Sequence, residues 1–169
     1  PDRRVMDRIY KLKKDEIGFH KINQLKQNNK DVKYKIQGTI LEVDLTDAIY
    51  PNDSTVFYLE FLSQVPLQIR RSGRNNKEGI DYSMAQWFPK IAEYDRLGWH
   101  AHPYIAREFY SPWGDYDVTI SIDKKYVIGG TGILKNITKK RDKKIWNFVA
   151  ENVHDFVWAA DPDYTHDIL

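Results

Sequence analysis

Tyr116, Val118, Ile120 and Ile122 stand at every second position, each followed by a polar residue. That two-residue period belongs to a half-buried β-strand, because a helix would repeat its apolar face every three to four residues. The same period runs through Val32, Tyr34, Ile36, Gly38 and Ile40, and the apolar phase then moves to Leu41, Val43 and Leu45. Such a change of phase calls for a bulge or bend, which Gly38 can supply. From Thr55 to Leu62 the apolar residues fall on both faces, with Phe57, Leu59 and Phe61 on one and Val56, Tyr58 and Leu62 on the other. This pattern predicts a covered strand. Trp146, Phe148 and Ala150 begin a further strand, and Phe156, Trp158 and Ala160 finish one. The spacing predicts that Trp146, Phe148, Phe156 and Trp158 face one side of a sheet as core.

Turn clusters at Pro51-Asn52-Asp53-Ser54, Asp123-Lys124-Lys125 and Asp161-Pro162-Asp163 separate these runs. Val5, Ile9 and Leu12 sit at helical spacing, where a short helix and an irregular or edge segment are both open. Many strands, many turns and little helix predict an all-β fold, an antiparallel β-sandwich in one domain over residues 1–169. A chain of 169 residues is long enough for a proper core.

Charge and composition remove several function classes. The net charge is only +2, which argues against a dedicated nucleic-acid binder with its concentrated basic stripe. With no cysteine, disulfides and thiolate metal sites cannot form. No apolar run nears the ~20 residues of a membrane span. The chain opens Pro1-Asp2-Arg3-Arg4, without Met and without a signal-peptide pattern, as a fragment would.

Residues 82–113 are rich in aromatics, among them Trp87, Phe88, Trp99, Tyr104, Phe109, Tyr110 and Trp113. So long a segment predicts a loop packed by its own rings, and it is the expected functional surface of the chain. The Gly129-Gly130-Thr131-Gly132 cluster leads into Ile133-Leu134 and no helix, so a bulged strand explains it better than a phosphate loop. His100-Ala101-His102 has a spacing that lets two imidazoles reach one metal from a strand, but the three or four ligands of a zinc site are not visible; packing within the aromatic loop accounts for both. Adjacent His154 and Asp155 would point to opposite faces of a strand and cannot form a relay. The segments 70–79, with Arg70, Arg71 and Arg74, and 136–144, with Lys139, Lys140 and Arg141, read as solvated basic loops. No Gly-x-Ser-x-Gly elbow and no His-Glu-x-x-His occurs, so the chain offers no catalytic set.

Gln86-Trp87-Phe88-Pro89-Lys90, Tyr94-Asp95, Gly98-Trp99-His100-Ala101-His102-Pro103-Tyr104, Phe109-Tyr110, Gly114-Asp115-Tyr116-Asp117-Val118 and the run from Ala150 to Ala160 agree, in order, with a known pattern. So does Arg70-Arg71-Ser72-Gly73-Arg74. Over roughly residues 35–165 the sequence resembles the N-terminal β-domain of zinc aminopeptidases of the aminopeptidase N type, in particular a bacterial branch. The resemblance implies a non-catalytic domain that starts partway in and hands over near Leu169 to a thermolysin-like catalytic domain. That partner domain would hold the zinc, and this chain would hold no cofactor. The implied partners are the catalytic domain and the peptide substrate, in a periplasmic or exported protein. It also implies Gln86 or Glu78 as the group nearest the substrate's free amine. The reading from a different class is an independent binding module that stacks glycans on Trp99, Trp113 and nearby tyrosines; a small metallohydrolase built on His100 and His102 is a third.

Overall fold

The computed structural model describes residues 7–102 and 110–166, and among these there is no helix. In chain order the strands are β1 (Phe19–Gln27), β2 (Lys30–Asp31), β3 (Lys33–Gln37), β4 (Ile40–Asp44), β5 (Phe57–Gln64), β6 (Gly73–Arg74), β7 (Tyr82–Met84), β8 (Tyr94–Asp95), β9 (Gly98–Trp99), β10 (Gly114–Asp123), β11 (Val127–Gly130), β12 (Ile133–Lys140), β13 (Lys143–Val153) and β14 (Trp158–Asp161). They form sheets of order β10-β13-β12, β11-β14-β7-β6 and β2-β1-β5, with β3-β4 and β8-β9 as hairpins. The strand pairings are antiparallel, and an isolated parallel bridge joins Leu67 to Arg74.

The core lies between the first two sheets. On β10 the half-buried Tyr116, Val118 and Ile120 stand opposite Ala150, Phe148 and Trp146 of β13, so each cross-strand pair adds to one apolar face. Ile128 of β11 and Ala160 of β14 face them from the second sheet, both fully buried. Phe156, also fully buried, fills the space between, packing against Phe148 at 6.2 Å and Tyr116 at 6.3 Å. Two sheets closed over one shared core make the predicted antiparallel sandwich. The four aromatics expected on one side of one sheet arrive differently: Trp146 and Phe148 are on β13, Trp158 is on β14 in the other sheet, and Phe156 lies outside both strands.

From β10 onward the chain passes between these two sheets three times, at residues 124–126, 131–132 and 154–157, and the last two crossings sit side by side. Residues 131–132 carry it from β11 to β12, and residues 154–157 carry it from β13 to β14. Thr131 N–H donates to the Val157 carbonyl (2.9 Å), and Val157 N–H donates to Thr131 Oγ1 (2.9 Å). Gly132 has φ 82, and a Cβ there would run into the Val149 carbonyl and Ala150. Gly132 thus serves close packing at a crossing, whereas Gly129 has open space where a Cβ would stand.

Away from the core several expectations change. The phase flip after Gly38 is a hairpin: Gln37 pairs with Ile40, and Gly38 at φ 60 opens the two-residue turn. β5 is not covered on both faces, since Tyr58 and Leu62 are exposed. Segment 136–144 is the β12–β13 hairpin, turning at Arg141 (φ 57). Within 70–79, Arg74 lies in β6, and its guanidinium donates to the carbonyls of Val65 (3.2 Å) and Asp15 (2.6 Å), so it is no solvated loop cation. Residues 7–16 make turns; Val5 of the helical spacing lies outside the described residues.

Candidate functional site

A cleft of about 440 Å³ opens where three turns meet. Gln86, Lys90, Thr131, His154 and Asp155 line it. The first turn follows β7, whose Met84 is buried and pairs with Trp158. Gln86 then takes φ 53, a left-handed conformation uncommon outside glycine, asparagine and aspartate. Trp87 anchors the next step: its Nε1–H donates to the Phe156 carbonyl at 3.0 Å, and its ring meets Phe88 and Trp158 edge-on. Lys90 Nζ donates to the His154 carbonyl (2.6 Å) and lies 3.5 Å from Asp155 Oδ1. That carboxylate oxygen also accepts from the Phe156 N–H (2.9 Å), and the Lys90 and Asp155 side chains are only 17% and 12% exposed. At the rim the His154 imidazole stacks on exposed Trp113 (5.4 Å, 28°).

Of the two residues expected near a substrate amine, the fold places Gln86 on this cleft, exposed. Glu78 sits apart on the β6–β7 turn, where Asn76 Oδ1 accepts from Ile80 N–H (2.8 Å). Sequence reasoning found neither Lys90 nor Asp155 as a pair, because 64 residues separate Lys90 from its carbonyl partner.

Residues 82–113 are no plain loop. They begin in β7 and contain the β8–β9 hairpin; Pro103, Tyr104 and Phe109 lie outside the described residues. At the hairpin Asp95 accepts from Leu97 N–H (2.8 Å) and Tyr110 Oη–H (3.2 Å). His100 Nε2 is 2.8 Å away from it, but off the line of a straight ring N–H bond. The His100 contact, with these donors behind it, holds the Asp95 carboxyl below the usual carboxylate range. The His100 and His102 rings stand 5.9 Å apart at 76°. Among the described residues no three His, Asp or Glu gather as metal ligands, so the residues present do not fit a zinc site. Nor does any helix among them have the length and apolarity to cross a membrane. Trp99 and Trp113 are both exposed; Trp99 meets Tyr94 edge-on at 61°, whereas Trp113 is stacked on His154.

No protein-family model matches the sequence, and no curated protein does. Solved structures do match. An M1 zinc metallopeptidase from Deinococcus radiodurans aligns over 85% of this chain at 11% identity, with a TM-score of 0.53. A mutant M1 zinc metallopeptidase from the same organism aligns over 85% at 15% identity and a TM-score of 0.56. A mutant two-domain M1 zinc metallopeptidase bound to L-arginine gives the same identity, coverage and TM-score.

The chain carries the fold of part of an M1 zinc metallopeptidase.

It spans about a third of those enzymes, 32–33% of their length. The M1 likeness therefore concerns one portion of a larger architecture.

Proposed function

We propose that this chain is the non-catalytic β-domain of a zinc aminopeptidase, a single domain that packs on a separate catalytic domain and borders the site of the substrate's N-terminal amine. The observation that carries this reading is the fold likeness, which takes in 85% of the chain but only a third of the M1 zinc metallopeptidases. The removal of N-terminal residues from peptides, and the zinc that drives it, would belong to the catalytic domain. A zinc peptidase needs a bound water and a general base beside the metal, and among the described residues no three His, Asp or Glu gather to hold that metal.

Gln86 is the group assigned to the amine. Its side-chain carbonyl has two lone pairs for an ammonium, and its exposure at the cleft leaves it available. Glu78 is the second candidate, apart from the cleft on the β6–β7 turn.

The test is steady-state kinetics of the complete gene product on aminoacyl reporter substrates. A hydrogen bond to a charged group contributes about 1.5–3 kcal/mol, so Gln86→Ala is expected to lower kcat/KM by roughly ten- to a hundredfold with an unchanged melting temperature. Glu78→Ala serves as the comparison. The 169-residue chain alone is expected to give no turnover. Full activity in both variants would remove the amine-site assignment, and turnover by the isolated chain would remove the non-catalytic one.

A further inference from the structure

We infer that Lys90, closed on Asp155, is a positioning residue that holds Gln86 in its left-handed conformation at the cleft; this rests on the amine-site reading of Gln86. After Met84, which β14 fixes in register, two side chains of the same turn reach segment 154–156. One is Trp87, through the Phe156 carbonyl, and the other is Lys90, through the His154 carbonyl and the Asp155 carboxylate. Gln86 lies between the strand and these anchors, at φ 53. A non-glycine residue keeps such a backbone only where the surrounding structure over-determines it.

The chemistry of the anchor supports the assignment. A largely buried ammonium and carboxylate add little to stability compared with well-packed apolar side chains of the same volume. Their geometry is nonetheless demanding: Asp155 Oδ1 serves both Lys90 and the Phe156 N–H. That double use fixes the distance between the turn bearing Gln86 and the turn bearing His154, the two edges of the cleft. The pair thus sets the width of the site and the direction in which the Gln86 amide projects.

Two measurements decide it. In the complete gene product, Lys90→Met is expected to raise KM for aminoacyl substrates roughly tenfold or more, the scale on which a misplaced binding group acts, while kcat changes little and Lys90→Arg recovers part of the loss. In the isotopically labelled 169-residue chain, Lys90→Met is expected to change the backbone couplings that report φ at Gln86, with the Ile128 and Ile120 methyl signals unmoved. Should Lys90→Met fail to fold, Asp155→Asn keeps an acceptor for Phe156 and removes only the charge. Unchanged couplings at Gln86 together with an unchanged KM would overturn the inference. The couplings are read without substrate, so they decide the role of Lys90 even if Gln86→Ala leaves kcat/KM untouched and the amine reading falls.

Discussion

The sandwich and the β1–β5 region are held together by opposite means. Between the two facing sheets the contacts are apolar: Ile128, Phe156 and Ala160 are fully buried, with Trp146 and Phe148 nearly so. In the β1–β5 region the one fully buried large side chain is polar. Gln27 Nε2 donates to the Asp47 carbonyl (2.8 Å) and Thr55 Oγ1 (3.1 Å), while its Oε1 accepts from Thr46 N–H (2.8 Å), Thr46 Oγ1–H (3.1 Å) and Asp47 N–H (3.1 Å). One amide thereby satisfies the backbone of the 46–47 connection and ties it to the entry of β5. Leu25 on the same strand is buried at 7%, but most of the region's apolar side chains are not: Tyr34, Ile36, Tyr58 and Leu62 are exposed. Burial removes water from large surfaces and is non-directional, whereas a buried amide specifies one arrangement and tolerates no substitute.

The comparison is sharpest where it can be broken. Phe148→Ala is expected to cost about 3–5 kcal/mol in denaturant melts, the usual range for emptying a packed aromatic site. A loss under 1 kcal/mol would place that ring outside the core. Gln27→Leu is expected to cost about 2–3 kcal/mol, because a leucine fills the space but strands the N–H groups of Thr46 and Asp47. If the leucine variant melts like the parent, the region is held by burial after all. Tyr126→Phe is expected to cost about 1.5 kcal/mol, the low end for a hydrogen bond to a charged group, since it removes a single bond from Tyr126 Oη–H to Asp81 Oδ2 (2.9 Å).

Tyr126 also gives a pH signature. Burial first, and the Asp81 carboxylate second, push its phenol up to about 12 from an ordinary 10.0. A raised folded-state value means that the native state binds the proton more tightly than the unfolded chain does. This contribution is therefore complete below pH 10.0 and is lost as pH climbs through about 12. Melts across that window should show a steeper alkaline loss for the parent than for Tyr126→Phe, and equal slopes would contradict the assignment. The smallest effect is expected for Tyr34→Thr on the exposed hairpin, within about 0.5 kcal/mol of zero; a core-sized loss there would show the hairpin to be covered.

How much of this was legible in the sequence depends on local regularity. β10 could be read directly because its alternation is unbroken. β1 could not: Ile22 and Leu25 stand three residues apart, since a bulge at Asn23 inserts one residue between the Ile22–Phe61 and Gln24–Glu60 pairs, and Phe19, an odd number of regular steps from Ile22, is exposed. The β12–β13 hairpin looked like a basic loop because its outward positions carry lysines, and solvent-facing side chains carry no strand signal of their own. Exposure of Tyr58 and Leu62 was equally hidden, since a sequence shows that a side chain is apolar but not whether anything covers it. At the cleft, Gln86 was named through family resemblance. Its backbone conformation and the Lys90–Asp155 partnership came only with the fold, because both depend on residues distant along the chain.

The paired crossings at Thr131 and Val157 have a bearing on how the molecule opens. Because the chain leaves each sheet for the other there, and because the two passages are bonded to each other, neither sheet can peel away while its neighbour stays intact. Protection against hydrogen exchange should accordingly rise and fall together across both sheets, as one cooperative unit. The β3–β4 hairpin, being a lone pair of strands, is free to open on its own. The cleft, built on the crossings themselves, then inherits the full stability of the sandwich.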